Sequence, residues 1–125
     1  MQKYNTHYHP PAPTLDVTIV NPERADRRIV KTAFLDTAAD ITAIPASAVR
    51  PLRLEVARVI ATHGINDGAA EHPAYIVTLQ VADLTLERIA VIEWSEDEVL
   101  LGRDVLNEFE IHLDGKMHQF EIRDP

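Results

Sequence analysis

Residues 33–40 read "AFLDTAAD". An apolar run ends abruptly on a carboxylate, Asp36, and a small hydroxyl residue, two alanines and a second carboxylate follow. Burial disfavours a charged carboxylate, so an acid driven to the end of a core strand needs a compensating partner. The simplest partner is local, an Asx turn in which Asp36 accepts from nearby backbone N–H groups. Thr37, Ala38 and Ala39 point further. Small side chains leave space around the acid, as a site for a substrate backbone requires.

The rest of the chain places this segment in an all-β domain. "TLDVTIV" (14–20) alternates apolar and polar residues and reads as a half-buried strand, "NPERADRR" (21–28) as a polar connection, and "IVKTAFLD" (29–36) as the strand that ends at the acid. "ITAIPASAV" (41–49) is a further strand running into a turn or short helical turn. "LEVARVIATHG" (54–64) and "AEHPAYIVTLQV" (70–81) flank Asn66, Asp67 and Gly68 and predict a long hairpin. "LTLERIAVIEW" (84–94) is another strand, followed by the acidic loop "SEDE" (95–98). "VLLGRDVLNEF" (99–109) passes from a strand through Gly102 into a short helix that Asp104 caps or opens. "FEIHLDGKMHQFEI" (109–122) is two alternating runs joined by Asp-Gly, a hairpin signal. Short strands at close spacing with one helix indicate a barrel or sandwich. The proline-rich "MQKYNTHYHPPAP" (1–13) reads as an extended N-terminal arm, and residues 14–125 as one domain.

Composition narrows the function. The chain has 125 residues, 46% of them apolar, enough for one core. Twelve basic residues stand against 20 acidic ones, a formal charge of −8, which argues against nucleic acid as a partner. Without cysteine there is no thiolate chemistry, and a reducing compartment is expected. No segment reads as membrane-spanning, so a soluble, cytoplasmic protein is expected. No metal or organic cofactor is expected: His7 and His9 share one side of an extended arm, but no third ligand lies near them. Ser47 and Ser95 lack a nucleophile-elbow pattern.

One carboxyl cannot readily serve as both acid and base in a hydrolytic step. Two carboxyls about 3 Å apart can, because like charges that close cannot both ionise and one stays protonated beside its neighbour. This chain offers one such segment, so the second carboxyl must come from a second copy across a two-fold axis.

"AFLDTAADITAIP" (33–45) resembles the active-site segment of the retropepsin-like aspartic proteases, apolar-apolar-Asp-Thr/Ser-Gly-Ala, and "VLLGRDVLNEFEIHLDG" (99–115) resembles their second signature, two apolar residues, Gly, Arg, then Asp or Asn opening a helix. The resemblance spans roughly residues 14–122. It implies an acid-protease barrel with a flap hairpin, one short helix near the C-terminus and an active site at a homodimer interface. Asp36 would be the catalytic aspartate. Thr37 would bond across the dimer axis, Ala38 and Ala39 would line the substrate floor, and Asp40 would pair with Arg103. Gly64, Ile65 and Asn66 would form the substrate-binding flap tip. The implied partners are a second copy and a peptide or protein substrate, with no nucleic acid and no membrane. Ala38 departs from the family glycine. That departure keeps open an alternative, a non-catalytic peptide-binding or dimerisation module of the same fold.

Overall fold

The computed structural model describes residues 1–63 and 69–125. Its strands are β1 (Gln2–Lys3), β2 (Thr14–Asn21), β3 (Arg24–Leu35), β4 (Ala43–Pro45), β5 (Arg58–His63), β6 (Ala69–Val81), β7 (Leu84–Trp94), β8 (Val99–Leu101), β9 (Glu110–Asp114) and β10 (Gln119–Arg123). Two four-residue helices, α1 (Ala46–Val49) and α2 (Arg103–Leu106), follow β4 and β8.

Seven strands lie in the order β2-β3-β8-β4-β7-β6-β5, and β2 also pairs with the C-terminal part of β6. That extra pairing closes six strands into a ring and leaves β5 outside it, hydrogen-bonded to the N-terminal half of β6 as a projecting hairpin. Closure removes most free edges. The interior holds Val17, Ile19, Ala33, Ile44, Val77, Leu79, Val91, Val99 and Leu101, all almost fully buried, as period-2 alternation along the strands requires. A separate sheet, β1-β10-β9, sends Phe120 and Ile122 into the same core. A smaller apolar cluster of Ala43, Ala74 and Ile92, with Ile41, Ile60, Trp94 and Leu100, occupies the opposite face beneath the projecting hairpin.

The polar connection expected at 21–28 is a tight turn instead. Only Pro22 and Glu23 lie between β2 and β3, and Asn21 pairs with Arg24. Asn21 explains the turn: its Oδ1 accepts the Glu23 N–H at 2.8 Å, and its buried amide donates to the Leu52 carbonyl at 2.9 Å. Arg24 to Arg28 then extend β3 with mostly exposed side chains, so charge marked a solvent-facing strand rather than a loop. The first thirteen residues are also held. Gln2 and Lys3 pair with Phe120 and Gln119, Asn5 bridges Ala12, and the Tyr4 ring stacks on His118.

Candidate active site

Parallel pairing of β3 with β8 sets Leu35 opposite Leu101, and the Asp36 N–H continues that ladder to the Leu101 carbonyl at 2.9 Å. Asp36 is half-buried just past the strand end. Its Oδ1 accepts the Ala38 N–H at 2.9 Å, and its carbonyl accepts the Ala39 N–H at 3.3 Å. The local turn therefore forms, and the rest of the chain is built around it.

The loop is strapped to α2. The Arg103 N–H donates to the Ala39 carbonyl at 2.8 Å, and its Nη1 donates to the Thr37 carbonyl at 2.8 Å. Beneath it lies a buried hydroxyl. Thr42 Oγ1 donates to Asp104 Oδ1 at 2.7 Å and accepts the Gly102 N–H at 3.0 Å. The Thr42 N–H reaches Asp104 Oδ2 at 3.1 Å, and the Val105 N–H reaches Asp104 Oδ1 at 2.9 Å. Asp104 thus joins the loop to the first turn of α2, and hydrogen bonds to an ionised acceptor are the stronger kind. Gly102 is required by close approach: a Cβ there would lie 2.8 Å from the Ile41 carbonyl carbon.

The expected ion pair between Asp40 and Arg103 is not formed. The Arg103 guanidinium turns to the Thr37 carbonyl, and Asp40 is exposed. The two ion pairs among the described residues are Arg88 with Glu23 and Arg123 with Glu110. The acid that links loop and helix is Asp104, with Thr42 as its partner. The sequence reading missed this because nothing local marks two residues so far apart as neighbours.

Thr37 and Ala38 are exposed and Ala39 is partly exposed. Ala38 is not among the residues with positive φ, so its Cβ sits there without backbone strain. Asp40, Ile41 and the β5 residues Ile60 to His63 line a cavity of about 280 Å³ between the loop and the projecting hairpin. A larger concavity of about 340 Å³ lies at the β2–β3 turn, and no residue of the Asp36 loop lines it. Gly64, Ile65 and Asn66, the expected flap tip, lie outside the described residues.

The barrel is closed and mostly antiparallel, and it presents one Asp-Thr loop locked to a Gly-Arg-Asp turn. The chain matches the family described as "gag-polyprotein putative aspartyl protease" over residues 25–108, more than half its length, and it belongs to that family. Solved structures of similar fold include the EIAV protease complexed with the inhibitor HBY-793 (21% identity, 77% of this chain and 86% of that one, TM-score 0.57). The simian foamy virus (mac) protease is also similar (19%, 76% and 92%, 0.55), as is a retropepsin-like aspartic protease from Rickettsia conorii (14%, 81% and 75%, 0.55). These establish the retropepsin-like fold. No curated protein sequence matches the chain.

Proposed function

We propose that two copies of this chain form an aspartic endopeptidase in which the two Asp36 carboxyls activate a water. The observation that carries this reading is the strapping of the Asp36 loop. Bonds from Leu101, Arg103 and the Thr42–Asp104 lattice hold a half-buried carboxyl at an otherwise open loop. One carboxylate would take a proton from the water as the protonated one donates its proton to the peptide carbonyl oxygen. The proton taken from the water would then pass to the leaving nitrogen as the C–N bond breaks, and a hydroxyl of the tetrahedral intermediate would return its proton to the other carboxylate. The Thr37 hydroxyl would bond across the two-fold axis. The substrate would be an extended peptide held by strand addition beneath the β5–β6 hairpin, which would close as a flap and exclude water. No metal is needed for this chemistry. The absence of cysteine fits a reducing compartment such as the cytoplasm. Among the described residues no helix is long and apolar enough to cross a membrane.

One observation favours a second reading. The Ala38 side chain is exposed on the loop, where a methyl would meet either the peptide or the facing Ala38 of the second copy. A dimer of this fold could then bind peptides without cleaving them. Two measurements separate the readings. Sedimentation velocity at micromolar concentration should give a species of twice the chain mass, and digestion of a peptide library at several acidic pH values should give discrete products. A strict monomer sinks both the dyad and the peptidase. A dimer that binds but does not cleave, and that begins to cleave on Ala38→Gly, assigns the binding role.

A further inference from the structure

The N-terminal segment brings an aromatic ring to the neighbourhood of Asp36. The Tyr8 ring meets Phe34 edge-on, with centroids 4.7 Å apart and planes at 64°, and its hydroxyl donates to Glu98 Oε2 at 3.0 Å. Strand alternation places Phe34 on the Asp36 side of β3, because Ala33 is fully buried and Leu35 packs against the core. The same alternation along β8 turns Glu98 and Leu100 away from the buried Val99, and Leu100 is in register with Phe34. Tyr8, Phe34, Glu98 and Leu100 therefore make one wall beside Asp36.

Glu98 is held there from both ends. Trp94 Nε1–H donates to its carbonyl at 2.7 Å, and Tyr8 fixes one carboxylate oxygen. Burial, and then the bond to Glu98, push the Tyr8 hydroxyl up from its ordinary value, which keeps it a donor to the carboxylate. Glu98 takes part in neither ion pair found among the described residues, and its Oε1 accepts no hydrogen bond from them. A partly buried carboxylate with a free oxygen, bonded by a Tyr8 whose ring packs on Phe34 and in no ion pair among the described residues, is complementary to a long basic side chain. The aliphatic stem would lie on the rings, the head would gain cation–π attraction, and the charge would meet Oε1.

We propose that Tyr8, Phe34 and Glu98 form a subsite that selects a lysine or arginine side chain of the bound peptide, with Glu98 as its specificity-determining residue. The proposal rests on the peptidase reading only for the placing of a peptide beside Asp36. A purely structural clasp for the N-terminal segment would tolerate Glu98→Gln, because the amide oxygen still accepts from Tyr8. A selective subsite would not, because the charge is lost.

Two peptide libraries, identical except for lysine or norleucine at one fixed central position, would be digested by the full chain at about pH 6. The same libraries would be titrated against Asp36→Asn by fluorescence anisotropy. The lysine library should be turned over, and bound, about tenfold or more better than the norleucine library, the size expected for one charge-assisted bond. Glu98→Gln should bring that ratio close to one. Equal handling of the two libraries by the unmodified subsite, or a ratio that Glu98→Gln leaves intact, overturns the proposal. If nothing is cleaved but Asp36→Asn binds the lysine library selectively and loses that selectivity with Glu98→Gln, the subsite stands and the peptidase reading falls. If nothing is cleaved and binding is unselective, both fall.

Discussion

Two half-buried carboxylates stand at strand ends in this molecule, and locally they look alike. Asp36 follows β3 and accepts the Ala38 N–H at 2.9 Å, whereas Asp114 ends β9 and accepts the Met117 N–H at 3.1 Å. The difference lies beyond the turn. Within the Asp114 turn the His118 N–H reaches the Gly115 carbonyl at 3.4 Å, the distant Tyr4 touches only its far end at His118, and a Cβ added to Gly115 would meet nothing within 4 Å. The Asp36 loop is gripped from β8 and α2, and a Cβ on the neighbouring Gly102 would strike backbone. An Asx turn by itself therefore does not tell the two acids apart. What distinguishes them is how closely distant parts of the chain grip the turn: a single residue, Tyr4, at the far end of one, and both β8 and α2 on the other.

The same substitution at both sites should divide them most sharply. Asp36→Asn should lower peptide cleavage by about 100- to 10,000-fold, the usual worth of a general acid–base group, without changing sedimentation or circular dichroism. Asp114→Asn should leave cleavage within about twofold, since its acceptor oxygen is retained. Comparable losses at both sites would erase the distinction.

Next in size is the strapping itself. Thr42→Val removes the acceptor of a buried N–H and the donor to Asp104, and should cost about 2–3 kcal/mol in urea unfolding. A cost near zero would mean that the lattice under Asp36 is no stronger than the turn at Asp114. Arg103→Ala should cost less, about 0.5–1.5 kcal/mol, because an exposed guanidinium loses one bond to a carbonyl. A loss of about 3–5 kcal/mol would restore the buried ion pair with Asp40 that the geometry does not contain.

A further effect tests a part of the barrel wall that belongs to neither loop. Tyr75 is buried on β6, and its hydroxyl donates to Glu93 at 2.9 Å. Burial, and then Glu93, push its pKa up to about 12 from an ordinary value of 10.0. The folded state therefore keeps a proton that the unfolded state gives up. The stabilisation is whole below pH 10, falls as pH rises above it, and is gone past about 12. Tyr75→Phe should flatten stability across that window in alkaline melts, while neither carboxylate substitution alters the slope there. An unchanged slope would remove Tyr75 from the alkaline transition.

Much of this was legible from residues alone. Alternation over 14–20 marked β2, the strand read at 84–94 is β7, and the apolar run stopping at Asp36 marked the loop. Gly102 before Arg103 marked the passage from β8 to α2. Long-range choices were not legible. Two acids, Asp40 and Asp104, lay near the loop–helix junction, and the family resemblance implied the pairing of Asp40 with Arg103. The fold instead turns Asp104 under the loop to the buried Thr42, where a carboxylate can accept from both backbone and hydroxyl. Arginines at 24, 27 and 28 read as a loop because charge and exposure look the same in a connection and on the outer face of a strand. Tyr8 was hidden for a different reason: proline-rich surroundings concealed a side chain that packs against Phe34.

The grip on the Asp36 loop also sets a time at which the site comes into being. Thr42 is tied to residues 60 and 62 positions later in the chain, and the Thr37 carbonyl to one 66 positions later. Contacts of such separation cannot form until the intervening chain has been made and the barrel has closed around it. While a chain is still emerging from the ribosome, Asp36 leaves the exit tunnel long before Asp104 and has nothing to hold it. A polypeptide interrupted anywhere before α2 would carry the acid and lack the means to aim it. The order of synthesis thus leaves the Asp36 loop unfastened until nearly the whole domain is present.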